Sequence, residues 1–315
     1  MEAKTEVIKF QYPLSLVEAI NIYLDYLSCY AAKKTIEYYW ENLNRFNKFI
    51  LESDLRLPFT ENVKVCLDEV NKDVVIAYIK YLRSSGIKNV SVNTYVRAVR
   101  VFNHFLLENN YTDDDWFSNI KKLRNDPDPV VVLTETEYIN IIRYISRRDY
   151  STRNICVFRL FCDCGLRLNE VIKLNVEDIQ PTYLIIKDSK YNKSRYVPLP
   201  AFLYKNIKLY IDGRSFGPVF LTRSGERITK SSITKLFKNI KTDLNLKHVH
   251  PHQLRHTFAT SYVAGGGNLE MLRILLGHAD LNITQNYLHL AQDVTIIGID
   301  IHKLDNIFFR NYREK

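Results

Sequence analysis

The sequence predicts a mainly α-helical protein built from two domains, on three observations. Ser/Thr-x-x-Glu capping boxes stand at the head of apolar stripes with helical spacing, once at Ser15-Leu16-Val17-Glu18 and again at Thr134-Glu135-Thr136-Glu137. Between them lies Asp126-Pro127-Asp128-Pro129, where two prolines remove backbone donors and push their predecessors out of helical conformation. Only one segment carries the short alternating pattern of paired strands.

Taken in order, the first helix follows Ser15 with a stripe through Ala19, Ile22, Tyr23, Tyr26 and Leu27. A second covers Lys33 to Leu51. A third starts near Asn71 and stops at Gly86, as a terminal glycine suggests. A fourth starts at Ser91 and runs through Val96, Val99, Phe102 and Phe105. Four helices with short connections predict a small bundle over residues 1–120. Residues 121–133 read as a linker and 134–315 as the second domain. That domain is also mostly helical, interrupted by Tyr183–Lys187 and Ser194–Leu199, which predict a β-hairpin turning near Tyr191-Asn192. Gly265-Gly266-Gly267 reads as a helix end with Asn268 capping the next helix, and Gly277 as a second helix end.

The composition is that of a globular protein, 46% hydrophobic and 25% charged. Residues 1–6 resemble no secretory leader, and no apolar run approaches the ~18 residues that suggest a membrane span. A cytoplasmic protein is therefore expected. Cys29, Cys66, Cys156, Cys162 and Cys164 are odd in number without zinc-type pairing, and they read as packing residues in a reducing compartment. The net charge of +9 favours a polyanionic partner. From Pro181 to His256 there are fifteen lysines and arginines against four acids, so the excess is concentrated here and points to nucleic acid.

Within that segment, His252 and Arg255 stand three apart. If Pro251 occupies the first turn of a helix, both face one side and one phosphate could meet an imidazole, a guanidinium and the helix amides. A plain surface pair is the other reading. His248, His250, His252 and His256 also invite a metal site, but Gln253 stands where a metalloprotease helix has its glutamate, and no metal is expected.

Five boxes in order then resemble the tyrosine recombinase (phage integrase) family. They are Cys164–Glu170 around Arg167, Ser189–Leu199 around Lys190, the His252-x-x-Arg255 pair, Leu276-Gly277-His278, and Tyr287 nine residues after that histidine. The resemblance spans roughly residues 134–290. It implies a SAM-like, four-helix core-binding domain that clamps DNA from the N-terminal part, and a mixed, mostly helical catalytic domain carrying the hairpin. It implies Tyr287 as nucleophile, Arg167 and Arg255 as clamps on the non-bridging phosphate oxygens, His278 as a further donor and His252 as general base. It implies Lys190 as the acid that protonates the leaving 5′ oxygen, with Glu170 orienting the basic groups. Ser189 and Tyr191 stand where the family's hairpin carries glycines, and Lys193 is the other lysine available as acid. Lys193, Arg195, Arg223, Lys230 and Lys235 are candidate DNA contacts.

The expected activity is site-specific cutting and rejoining through a 3′-phosphotyrosine and a Holliday junction, without cofactor, metal or ATP. The expected partners are double-stranded DNA with paired inverted half-sites and three further copies of the chain, with or without accessory proteins, in a nucleoid-associated cytoplasmic tetramer. The apolar tail, about 291–315, is expected to dock on a neighbouring copy. The short stretch before the first helix favours a Xer-, Cre- or transposon-type enzyme over one with an added arm-binding domain. A type IB topoisomerase and a non-catalytic DNA-binding protein are the alternative readings. DNA affinity is predicted to fall ~10³-fold or more between 50 and 200 mM salt, measured by filter binding, since each lysine or arginine on a phosphate displaces counterions.

Overall fold

The computed structural model describes residues 14–53, 65–125, 131–188, 193–277 and Tyr287, with Asp188 and Lys193 described by backbone alone. The chain divides into two compact units, Met1–Asp128 and Pro129–Lys315. Both are helical, and among the described residues the only sheet has two antiparallel strands. No described helix is long and apolar enough to cross a membrane.

The first unit holds α1 (Leu16–Ser28), α2 (Lys33–Glu52), α3 (Lys72–Ser84) and α4 (Asn89–Glu108). The Ser15 capping box is formed in both directions. The Glu18 amide donates to Ser15 Oγ at 3.3 Å, and the Ser15 amide donates to Glu18 Oε2 at 3.0 Å. Asn71 caps α3 by accepting from Asp73 and Val74. The fourth helix begins at Asn89, two residues before the expected Ser91. The α1 stripe is also shifted: Ile20 is buried with Leu16, Ala19, Tyr23 and Leu27, whereas Tyr26 is 48% exposed. These helices close around Phe46, Tyr78, Phe102 and Trp116, each fully buried.

The second unit begins with α5 (Glu135–Ser146), headed by the Thr134–Glu137 capping box. Helix α6 (Ser151–Cys164) runs through its core, burying Phe158, Phe161, Cys156, Cys162 and Cys164. Burial drives the Cys162 and Cys164 thiols well above their ordinary range, which suits inert packing groups. Cys29 departs from that pattern and is exposed. After α7 (Leu168–Lys173) come β1 (Tyr183–Asp188) and β2 (Lys193–Pro198), paired from Tyr183↔Pro198 to Asp188↔Lys193. Leu184, Ile186 and Val197 face the core, as the period of two requires. The expected turn at Tyr191-Asn192, the centre of the 121–133 linker and the tail from 291 lie outside the described residues.

Helices α8 (Ala201–Ile211), α9 (Lys230–Asp243), α10 (Pro251–Ala264) and α11 (Leu269–Leu276) complete the unit. Helix α10 packs on α6, and the glycine run ends it where expected. Asn268 then caps α11, accepting from Glu270 and Met271 at 2.8 and 3.1 Å.

Gly165 is a tight joint between two helices. It closes α6 at φ +62°, and a β-carbon there would stand 2.4 Å from Phe258 Cδ1 on α10. Gly165→Ala combines left-handed strain with a clash between two packed helices. It is predicted to lower unfolding stability by ~2–4 kcal/mol in a urea titration.

Candidate active site

The turn at Gly165 places Leu166 in the core and makes Arg167 the residue that starts α7. The Arg167 amide donates to Glu170 Oε2 at 2.7 Å, and its Nη1 donates to Oε1 at 3.0 Å. A second arginine reaches the same carboxylate from β2. Arg195 Nη1 and Nη2 donate to Glu170 Oε1 and Oε2 at 2.9 and 2.8 Å, a two-pronged pair that guanidinium geometry favours. Burial alone would raise the Glu170 pKa. The hydrogen bonds and charge of Arg195, followed by those of Arg167, outweigh burial and hold it below the usual carboxylate range.

These arginines meet a third at the end of α11. Arg195 Nε donates to the Leu275 carbonyl at 2.8 Å, Arg255 Nη2 to that of Leu276 at 2.6 Å, and Arg167 Nη2 to that of Gly277 at 2.6 Å. Arg255 Nη1 also donates to the Gly165 carbonyl at 2.8 Å, tying α10 to the end of α6. Gly277 takes φ +64°, and a β-carbon there would sit 3.2 Å from Arg195 Nη1 and 3.3 Å from Arg167 Nη1. Glycine is thus the residue that lets two guanidinium groups close over the helix end. Arg255 is 2% exposed. Burial, then the nearby Arg167 charge, lowers its pKa to about 10, so it stays cationic at neutral pH. The Arg167 side chain is 40% exposed and opens to solvent.

Helix α10 starts at Pro251, as expected, but one of its leading amides is already capped. His250 Nδ1 accepts from the Gln253 amide at 3.2 Å. His252 stands exposed on the first turn. Partial burial, then the Arg255 charge, moves its imidazole below the ordinary range. One turn on, His256 lies edge-on to His252 with ring centroids 4.3 Å apart. His256 Nδ1 is 2.8 Å from the Tyr287 hydroxyl. The imidazole that meets the tyrosine is therefore His256, where the sequence reading puts His252. Tyr287 is 4% exposed and packs with Ala259, Leu272 and Leu276. Burial raises its pKa, against the lowering effect of Arg255. His256 is pushed down to about 4 by burial, with His252, Arg255 and His250 adding to the effect, and is neutral at neutral pH.

The structure thus gathers Arg167, Glu170, Arg255 and Tyr287, with His252 at the rim. Lys190 and His278 lie outside the described residues, as does the side chain of Lys193. Among the described residues no group of three His, Cys, Asp or Glu side chains is placed to hold a metal ion. Arg195 corrects an expectation. Expected as a DNA contact, its side chain is 11% exposed and bound to Glu170 and Leu275, because a buried carboxylate needs a partner more than the surface needs one more cation. Arg223, Lys230 and Lys235 are exposed. The pairing of Arg195 with Glu170 and of His256 with Tyr287 was not read from the sequence, though both had a signal. Arg195 sits two residues beyond Lys193 on the same strand, and His256 lies four beyond His252 on one helix face.

The phage integrase family model matches residues 131–293, and that of the phage integrase SAM-like domain matches 15–122. The chain is similar to a tyrosine recombinase XerD of Oceanobacillus iheyensis, 26% identical over 236 residues covering 71% of this chain and 80% of the relative. Its fold is similar to that of the Tn1549 transposon integrase in complex with a circular intermediate DNA, with TM-score 0.67, 17% identity, and 87% of this chain and 95% of that one covered. It is also similar to the XerH site-specific recombinase in a post-cleavage complex on a palindromic difH substrate, with TM-score 0.66, 18% identity, and 89% and 82% covered.

Glu170→Gln keeps the side chain's shape but removes the charge that two arginines share, and is predicted to cost ~1.5–3 kcal/mol of stability. Because the folded-state pKa of Glu170 is depressed, its contribution is present above the unfolded value of ~4.3 and is lost as pH falls through the folded value. Denaturant titrations from pH 7 to 3 are therefore predicted to show less acid sensitivity in the variant than in the wild type.

Proposed function

The chain belongs to the phage integrase family and is a tyrosine recombinase, a DNA strand-transferring enzyme, and we propose that it cuts and rejoins DNA at paired specific sites through a 3′-phosphotyrosine. The observation that carries this reading is the Tyr287 hydroxyl, hydrogen-bonded to an imidazole of α10 and buried within the field of Arg255. A phenol with its proton acceptor in place, beside fixed guanidinium groups, is equipped to attack a phosphodiester.

In the proposed reaction Arg167 and Arg255 hold the non-bridging oxygens and offset the charge that grows as the phenol adds. That is the electrostatic role a divalent metal plays in other phosphoryl-transfer enzymes, so the scheme uses neither metal nor ATP. His278 adds a donor to the phosphate, and Lys190, or Lys193 on the same hairpin, protonates the departing 5′ oxygen. Glu170 acts by fixing Arg167 and Arg195 and transfers no proton.

The phosphotyrosine conserves the energy of the broken bond, so a 5′-hydroxyl of the partner duplex can reverse the attack. Two such rounds pass through a Holliday junction on two duplexes held by four copies of the chain. The helical unit over 1–120 supplies a second DNA-binding body, 121–133 links it to the catalytic unit over 134–315, and the tail from about 291 docks on a neighbouring copy. Arg223, Lys230 and Lys235 contact the DNA backbone of inverted half-sites, in the cytoplasm on the nucleoid. The palindromic substrate of XerH is in keeping with such a site.

A nicked suicide duplex carrying the site is predicted to trap a covalent adduct with the wild type, and none with Tyr287→Phe, on a denaturing gel. Arg167→Ala and Arg255→Ala are predicted to slow cleavage ~10²–10³-fold while DNA affinity changes by less than ~10-fold, because a phosphate clamp acts chiefly on the transition state. Strand exchange is predicted to require two sites and four copies by gel shift. Relaxation of supercoils without paired sites points to a topoisomerase instead.

A further inference from the structure

We propose that Arg195 is a positioning residue of the cleavage reaction, which neutralises Glu170 so that the charge of Arg167 is left for the phosphate. This deepens the reading of the chain as a tyrosine recombinase and rests on it. Three observations carry it.

The first is how the Glu170 carboxylate is shared. Arg195 takes both oxygens with its side chain, Nη1 donating to Oε1 at 2.9 Å and Nη2 to Oε2 at 2.8 Å. Arg167 reaches the carboxylate with one side-chain bond, Nη1 to Oε1 at 3.0 Å, and otherwise with its backbone amide. Burial opposes the ionised carboxylate, and Arg195, ahead of Arg167, overcomes it. The second is exposure. The Arg195 side chain is 11% exposed, and all three of its nitrogens donate inward, Nε to the Leu275 carbonyl. The Arg167 side chain is 40% exposed. One guanidinium is committed to the protein and the other is open to a ligand. The third is proximity. A β-carbon on Gly277 would stand 3.2 Å from Arg195 Nη1 and 3.3 Å from Arg167 Nη1, so both guanidinium groups close over one glycine. Two cations this near each other repel, and the carboxylate they share offsets that repulsion.

The charge balance gives Arg195 its role. Among the described groups at this helix end, Arg167, Arg195 and Arg255 stand against Glu170 alone, three positive charges against one negative, which leaves +2. A phosphodiester carries one negative charge and develops a second on its non-bridging oxygens as a nucleophile adds. Without Arg195 the balance falls to +1, and Arg167 becomes the one side chain left to pair with Glu170. The carboxylate then competes with the phosphate for that guanidinium, most of all where the phosphate charge peaks. Arg195 therefore acts on the transition state through Arg167 and touches neither the DNA nor the nucleophile.

Single-turnover cleavage by the full-length chain tests the assignment on two nicked suicide duplexes. One is normal, and the other carries a methylphosphonate at the scissile position, which lacks the negative charge that the arginines meet. Arg195→Met is predicted to slow cleavage of the normal duplex ~10–100-fold with DNA binding within ~3-fold of wild type, because the lost charge acts on the transition state. On the methylphosphonate, wild type and Arg195→Met are predicted to differ by less than ~3-fold. Arg195→Lys keeps the charge without the fork, and is predicted to lose ~3–10-fold on the normal duplex with the same narrowing on the other. Adding Glu170→Gln to Arg195→Met removes the carboxylate that competes for Arg167, and is predicted to speed cleavage ~5-fold or more over the single variant. A merely structural role gives the reverse, an equal defect on both duplexes and further damage from the second substitution. The two duplexes are compared within one preparation, so partly unfolded protein lowers both rates alike, and Arg195→Lys carries the comparison if Arg195→Met does not fold. A rate within ~3-fold of wild type in Arg195→Met on the normal duplex, a defect of equal size on both duplexes, or a double variant no faster than Arg195→Met overturns the assignment. The parent reading fails separately, and takes this one with it, if wild type forms no adduct or Tyr287→Phe still forms one.

Discussion

The catalytic unit is organised around the unpaired end of one short helix. A helix leaves its last carbonyls without partners and concentrates partial negative charge there. In α11 the oxygens of Leu275, Leu276 and Gly277 are each taken by an arginine from a different element, namely β2, α10 and the head of α7. Three segments far apart in sequence are thereby tied to a helix of eight residues. Two like charges ~6 Å apart repel by ~3 kcal/mol at an effective dielectric of 20, so the cluster needs a counter-charge. Glu170 supplies it, accepting from both Arg167 and Arg195. Helix end and carboxylate together allow three guanidinium groups to stay charged side by side.

That arrangement acts together with burial on the titratable groups beside it. Burial first, and then the neighbouring cationic groups, disfavour protonated imidazoles, and His252 and His256 are both displaced toward neutrality. On Tyr287 two influences compete. Arg255 favours the phenolate and burial opposes it, and burial wins, since the net displacement is upward. Tyr287 therefore stays protonated beside the His256 ring. The arginine cluster is itself held in place by carbonyls and a carboxylate.

How much of this could be read from the sequence depended on how local each feature is. The capping boxes at Ser15 and Thr134 name helix starts within four residues, and both form. The hairpin shows its period of two, and Asn268 and Gly277 punctuate α11 as written. Features fixed by tertiary packing were less legible. Ile20 and not Tyr26 joins the core, because the neighbouring helices and not the local stripe decide which face of α1 is covered. His252 and His256 share one helix face, so spacing alone could not say which meets Tyr287. That choice is made by where Tyr287 packs against α10.

The strong positive bias between 181 and 256 shows the same limit on charge counting. The described lysines of this stretch, at 187, 205, 208, 230, 235, 238, 241 and 247, are all exposed. Its arginines divide differently. Arg195, Arg214, Arg227 and Arg255 turn inward onto carbonyl or carboxylate oxygens. The guanidinium is planar, weakly hydrated and rich in directed donors, so it can leave water to cap backbone oxygens, whereas an ammonium holds its hydration and stays outside. One sum of charge thus mixes two populations, an inner scaffold and an outer field. The outer one is almost entirely lysine. An ammonium on a flexible stem is a compact, hydrated charge that phosphates can meet without fixed geometry, which is why exposure and not hydrogen bonding distinguishes this outer population.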